Sequence, residues 1–236
     1  MDRPKGSKSA SEMKREESRR KIMKAALKLF FIKGYENTTT RDIIKETGIL
    51  NGSLYNRFKS KDEILFGIVS DVIVTFLNGS EKLMIKEKDP FKALVMPMAV
   101  ELYIASHNKN MADLIFHAHK SWDAIDSFVD MYRNWLKSVW MDYYHEHIDE
   151  QAFRLSLISV IGAVGNICGE YAHGYDGDYG SVLENLVKGT SMIIGVPMFE
   201  VKNTVAELRD YIEHGDLVIF EYKLSDLETL GESTSD

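Results

Sequence analysis

The sequence predicts an all-α protein: a small three-helix head at the N-terminus, followed by a larger helical body. Three observations carry this. Apolar residues recur at helical spacing from residue 22 to about 214, and strand-like alternation is confined to a few residues, 217–222 (LVIFEY) being the exception. Residues 22–65 break into short helical patterns separated by turn chemistry. Charge divides at the same place: residues 1–61 hold sixteen Lys+Arg against seven Asp+Glu, a net of +9, and the rest holds thirteen against twenty-nine, a net of −16, which together give −7.

The head is read element by element. Ile22, Ala25, Ala26, Leu29 and Phe30 follow i, i+3, i+4, i+7, i+8 spacing, one apolar face of a helix. Lys33 then Gly34 supplies a cationic last turn and a residue that tolerates positive φ. Thr39 with Asp42 three residues on forms a capping box that opens a second helix, with Ile43 and Ile44 inward and Gly48 as its stop. A third short helix is expected from about Asn51 to Arg57. Ser60 with Glu63 repeats the capping box and opens a longer helix through Ile64, Leu65, Ile68 and Val69.

Helices this short do not persist alone, because nucleation is costly and little surface is buried. Packed together, two of them joined by a Gly-containing turn make a helix-turn-helix, whose second helix enters a major groove with its N-terminal residues at base edges. Those residues are Asn51, Gly52 and Ser53, followed by Tyr55, Asn56 and Arg57. A basic end on an acidic chain is polarised for a polyanion at that end. Residues 1–15, rich in Lys, Ser and Arg without apolar periodicity, read as a flexible basic tail, and 231–236 as a disordered one.

The stretch IMKAALKLFFIKGYENTTTRDIIKETGILNGSLYNRFKSKDEIL at 22–65 resembles the DNA-binding region of TetR-family transcriptional regulators nearly position for position. The resemblance implies a DNA-binding domain over 16–62, an effector-binding and dimerisation body over 63–230, and a homodimer on a double-stranded, palindromic operator. It implies phosphate contacts from Thr39, Thr40, Arg41, Tyr55 and Lys61, which position without carrying sequence information. Specificity then rests on Ser53, Asn56, Arg57 and Asn51. One position departs: similar proteins place Ser or Thr at the N-cap of the recognition helix, where this chain has Leu50, whose side chain accepts no N–H bond. Either the helix goes uncapped, or Asn51 becomes the cap and leaves the base readers.

The body is less legible. Pro90 and Pro97 bracket the start of one helix, HNKN at 107–110 separates two more, and a long helical pattern runs from about 121 to 147. Asp149 is a candidate N-cap, and AHGYDGDYG at 172–180 is the clearest loop. Residues 152–172 are apolar with small side chains at Ser156, Ser159, Gly162, Ala163, Gly165 and Gly169, which suits close helix–helix contact. The longest uncharged run there, 155–169, is too short for a membrane span, and the polar N-terminus does not read as a signal peptide. In similar proteins this helix and the next, here 181–194, form a four-helix bundle with the same pair of a second copy.

The resemblance also implies a small-molecule effector. Candidate pocket residues are Tyr103, His107, Phe116, His117, Trp122, Trp135, Tyr143, Tyr144 and Tyr171, aromatic walls with a few polar groups; each also reads as plain core. His117 with His119, and His145 with His147, lie two apart and point to opposite sides of a helix, so neither pair chelates one ion. No H-E-x-x-H, G-x-S-x-G, P-loop or G-x-G-x-x-G occurs, so no enzyme, metal or cofactor is expected. Cys168, the single cysteine, reads as a core thiol of a reducing compartment. The expected protein is cytoplasmic, bacterial and nucleoid-associated, most simply a repressor released by its ligand. An architectural or partner-docking DNA-binding protein without an effector is the alternative.

Overall fold

The computed structural model describes residues 9–87, 90–139, 149–195, 201–215 and 217–224. Within them the head is α1 (Ala10–Lys33), α2 (Thr40–Thr47) and α3 (Asn51–Tyr55). The body is α4 (Lys61–Glu87), α5 (Pro90–His107), α6 (Lys109–Ala118), α7 (Trp122–Val139), α8 (Glu150–Ala172), α9 (Tyr179–Ile194) and α10 (Val201–His214). A two-residue-per-strand hairpin follows, β1 (Val218–Ile219) against β2 (Tyr222–Lys223).

α1 starts at Ala10, inside the stretch 1–15 expected to be a flexible tail. Ser9 accepts the Glu12 N–H (3.2 Å) while the Glu12 carboxylate accepts the Ser9 N–H (2.8 Å), a capping box hidden within a polar run. α1 ends at Gly34 with φ 81° and ψ 159°, a backbone region that excludes side chains. The Thr39–Asp42 box is present, and Gly48 closes α2 in the left-handed conformation. At α4 Ser60 accepts the Glu63 N–H (3.1 Å), but the Glu63 carboxylate reaches one residue further, to the Lys59 N–H (2.6 Å).

One face of each head helix meets in a common core of Ile22, Met23, Ala26, Phe30, Ile43, Leu54, Phe58, Ile64 and Ile68, all essentially without solvent contact. Burial of each large side chain stabilises by about 1.5–3 kcal/mol, which lets a five-residue α3 persist. Head and body are continuous through α4. They are also joined by Asn110 of α6, whose amide donates to the Phe31 carbonyl (2.9 Å).

In the body, α5 is buried along most of its length and carries Pro97 in its interior rather than at its start. Packing on α4, α6, α8 and α10 overrides the lost backbone hydrogen bond. α8 crosses α5, α6, α7 and α9. By length and composition α8 is apolar enough to cross a membrane, with mean hydropathy 1.5 in its most apolar window. Its inner side, Leu157, Val160, Ile161, Val164 and Cys168, is core. The small residues do not share one face. Gly165 and Gly169 turn inward, where an added Cβ would lie 2.3 Å from His119 Cβ and 3.0 Å from the Phe116 ring, whereas Gly162 faces open space.

The hairpin turn holds Phe220 and Glu221 at φ 49° and 72°, a pairing that glycine or asparagine usually supplies. It is held against the head: Lys24 of α1 pairs with Glu221 and lies 5.5 Å from the Tyr222 ring.

Candidate functional site

The head presents a polar surface on an apolar core. α2 opens with Thr39 and Arg41 exposed and Thr40 half-buried, and α3 opens with Asn51 and Gly52 exposed. Thr40 Oγ1 and Tyr55 Oη lie 3.3 Å apart, so the two helices offer their polar ends side by side. The Thr39 hydroxyl and N–H, with Lys33, hold the Asp42 carboxyl down at about 2, and Asp42 stays an anion devoted to the cap. That leaves the remaining N–H groups at the start of α2 to meet an external anion.

Leu50 is the N-cap of α3, 79% exposed and without a side-chain cap bond. Asn51 is therefore the first helical residue and not the cap. Its side chain is left outward, on the surface expected to read bases. An added Cβ at Gly52 would meet nothing within 4 Å, so another surface has room to approach there. Asn56 is exposed and Arg57 half-buried, and Arg57 Nε has no hydrogen-bond partner among the described residues. Lys61 is occupied within the chain, donating to the Tyr35 carbonyl (2.7 Å) and lying 4.0 Å from the Tyr35 ring centre. A phosphate contact from Lys61 requires it to leave those partners.

The aromatic residues expected around one pocket do not converge. Tyr103 and His107 border a shallow hollow of 270 Å³ with Asp178, Tyr179, Arg209 and Glu213. His117 borders a different cleft of 550 Å³ between α4, α6 and α7, alongside Asp62, Glu63, Phe66 and Asp123. Phe116 packs on Gly169, Trp122 is 62% exposed, Trp135 is core, and the Tyr171 hydroxyl donates to the Gly177 carbonyl (3.2 Å). Tyr143 and Tyr144, with His145 and His147, lie outside the described residues. The aromatic residues scatter because helical periodicity reports burial and not which cavity a buried ring faces.

The polar pair at the centre of the body escaped the sequence reading. Glu101 of α5 is 5% exposed, and its Oε2 lies 3.5 Å from His119 Nε2 at the end of α6. Burial pushes the Glu101 carboxyl up to about 8 and the His119 imidazole down to about 4, so both are neutral at pH 7. His119 Nδ1 faces the Ile115 carbonyl (2.8 Å) and must carry the hydrogen, which leaves Nε2 a bare acceptor 3.5 Å from Glu101 Oε2, without a formed hydrogen bond. A lone Glu within the apolar run MAVELYIA was the signal for it. His117, two residues from His119, instead faces Glu36 of the head (3.1 Å) and Asp113 (3.3 Å). Among the described residues no cluster has the make-up of a metal site.

Comparison with known proteins gives one consistent answer. Residues 22–68 match the family described as bacterial regulatory proteins, tetR family. The HTH-type transcriptional repressor KstR2 of Mycolicibacterium smegmatis is 28% identical over 59% of this chain and 69% of its own length. The HTH-type transcriptional regulator HbdR of an Aromatoleum strain is 41% identical, but over 26% of this chain and 27% of its own length. A solved structure described as a TetR-family transcriptional regulator of Syntrophomonas wolfei matches in fold, with TM-score 0.52 and 19% identity over 78% of this chain and 98% of that one. The head sequence, the helical body and these likenesses agree: residues 22–68 form a DNA-binding head of the tetR family, carried on a helical body similar in fold to that of a TetR-family regulator.

Proposed function

We propose that the protein is a ligand-responsive repressor that binds an operator as a homodimer and leaves it when a small molecule occupies the body. The observation that carries this is the paired polar start of α2 and α3, with Thr40 beside Tyr55, on a head of net charge +9. Thr39, Thr40, Arg41 and Tyr55 position the head on phosphates, joined by Lys61 once it releases Tyr35. Asn51, Gly52, Ser53, Asn56 and Arg57 read bases. The division of labour falls within α4, with DNA contacts before residue 62 and effector and dimer contacts after it.

The dimer is supported by the outer side of α8 and α9. Leu155 is 65%, Met192 73% and Ile193 45% exposed, beside the open Gly162, and the Ser156 hydroxyl ties the two helices through the Ile193 carbonyl (3.3 Å). An apolar stripe of this kind suits an isologous two-fold interface, which sets two heads about 34–36 Å apart, one turn of DNA. A DNA-binding repressor of a bacterium works in the cytoplasm. Ligand acts only through its differential affinity for the two states, and about 1–3 kcal/mol of coupling changes DNA affinity roughly 5- to 150-fold.

Fluorescence anisotropy on the DNA upstream of the protein's own gene, against a scrambled duplex at near-physiological salt, tests the reading. A preference of about 10³-fold or more is expected. Equal binding to both, falling steeply with salt, would favour the architectural alternative.

A further inference from the structure

We propose that the effector site is the Glu101–His119 pair together with the cleft that leads to it, and that its ligand is an apolar molecule ending in a hydrogen-bond donor, an amine or an alcohol, not an anion. This rests on the reading of the body as an effector domain.

Glu101 Oε1 is fully enclosed and has no hydrogen-bond partner among the described residues. His119 Nε2, 3.5 Å from Oε2, is the acceptor beside this carboxyl, which places the proton on Oε2 and leaves Oε1 as the acceptor. A buried acceptor left empty is costly, and a donor delivered to it removes that cost while an anion adds to it.

The 550 Å³ cleft, a volume that suits a small organic molecule, stops short of the pair, and access from it requires Phe66 and Phe128 to swing aside. Its inner wall includes Phe66, which stacks on Phe128 with centroids 5.8 Å apart, and Phe128 in turn lies 5.3 Å from the His119 ring. One phenyl ring therefore separates the cleft from the polar pair. The mouth carries Asp62, Glu63 and Asp123, and the body as a whole is acidic, so the approach disfavours anions. Phe66, Phe128 and Tyr132 supply an apolar path, and burial raises both the Tyr132 hydroxyl and the Cys168 thiol, with a smaller contribution from Glu101. An ammonium that reaches Glu101 converts the carboxyl to its carboxylate, the proton leaving to solvent, so the buried charges balance. An alcohol donates to Oε1 with no proton movement.

The test is isothermal calorimetry of the full chain, free of DNA, with 4-phenylbutylamine, 4-phenylbutan-1-ol and 4-phenylbutyrate. The amine and alcohol are expected to bind, with the carboxylate at least tenfold weaker. Glu101→Leu should weaken both about tenfold or more. Glu101→Gln keeps a carbonyl acceptor, so it should spare the alcohol and weaken the amine. Equal or tighter binding of the carboxylate, unchanged affinity in Glu101→Leu, or no binding of amine and alcohol at millimolar concentration would each overturn the proposal. The ranking on the unmodified chain holds even if Glu101→Leu fails to fold. Operator anisotropy without any probe reports separately on the repressor reading.

Discussion

The head and the body solve opposite problems. The head buries apolar side chains and two threonines, Thr38 and Thr47, whose hydroxyls donate to backbone carbonyls, and turns its other polar groups outward, where Thr39, Arg41, Asn51 and Asn56 are exposed. The body does the reverse at its centre, enclosing a carboxyl and an imidazole among Phe128, Tyr132 and the backbone of Gly165. A polyanion arrives as a surface and is met by a surface, whereas a small molecule must be stripped of water and is met by groups already stripped. The difference teaches where to look for each function: exposed polar residues on short capped helices in one, buried polar residues without full partners in the other.

The comparison breaks most readily in the head's core. Phe58→Ala should cost about 3–5 kcal/mol, because α3 has no stability of its own, and should abolish operator binding. Chemical denaturation with anisotropy checks this; retained specific binding would mean that α3 does not depend on that core. Arg57→Ala should leave the fold intact and lose about 1–3 kcal/mol of discrimination at one base pair. A uniform loss across sequences, read from a panel of operator variants, would move Arg57 to the phosphate contacts.

The body's half of the comparison is sharpened by pH. His119, held down at about 4 in the fold, makes stability rise with pH between about 4 and its ordinary value of 6.5. Glu101, pushed up to about 8, stays protonated in the fold while the unfolded chain ionises from its ordinary 4.5, so its contribution falls as pH rises towards 8. The two oppose each other below 6.5, and above it Glu101 acts alone. Urea titrations should show stability falling by about 1–2 kcal/mol from pH 6.5 to 8, a slope that Glu101→Gln removes. Persistence of the slope in that variant would assign it elsewhere. The smallest effect concerns the missing cap: Leu50→Ser should stabilise the head by about 0.5–1 kcal/mol, seen as a higher denaturant midpoint with unchanged slope.

The head was legible because its signals are local. The capping box at Thr39, the Ser60 hydroxyl that caps α4, and glycines at 34 and 48 each report on a turn within four residues of themselves. Even there the Ser9–Glu12 box hid in a charged run without apolar periodicity. In the body the helices at 109–118, 150–172 and 179–194 were readable from the loops between them and from Asp149 as a cap, and the structure adds Asn108 and Asp178 as caps. What each helix faces was not readable. Gly165 and Gly162 look alike in sequence, yet one touches His119 and the other faces outward. Tyr103 and His117 both look like pocket residues and border different hollows. Those distinctions depend on crossing angles between helices far apart in the chain, which no local pattern records.

The clasp of Glu221 onto Lys24 joins residues 197 positions apart. Apart from this clasp and the Lys24–Tyr222 contact beside it, the hydrogen bonds described for the head lie within its own first seventy residues or reach α6, so a ribosome releases a nearly complete reading head long before its last brace exists. Contacts of such long range form late and slow the final approach to the native state. The protein therefore passes through an interval, during its own synthesis, in which the groove-reading helices are already built while the closing turn at Phe220 and Glu221 has yet to dock.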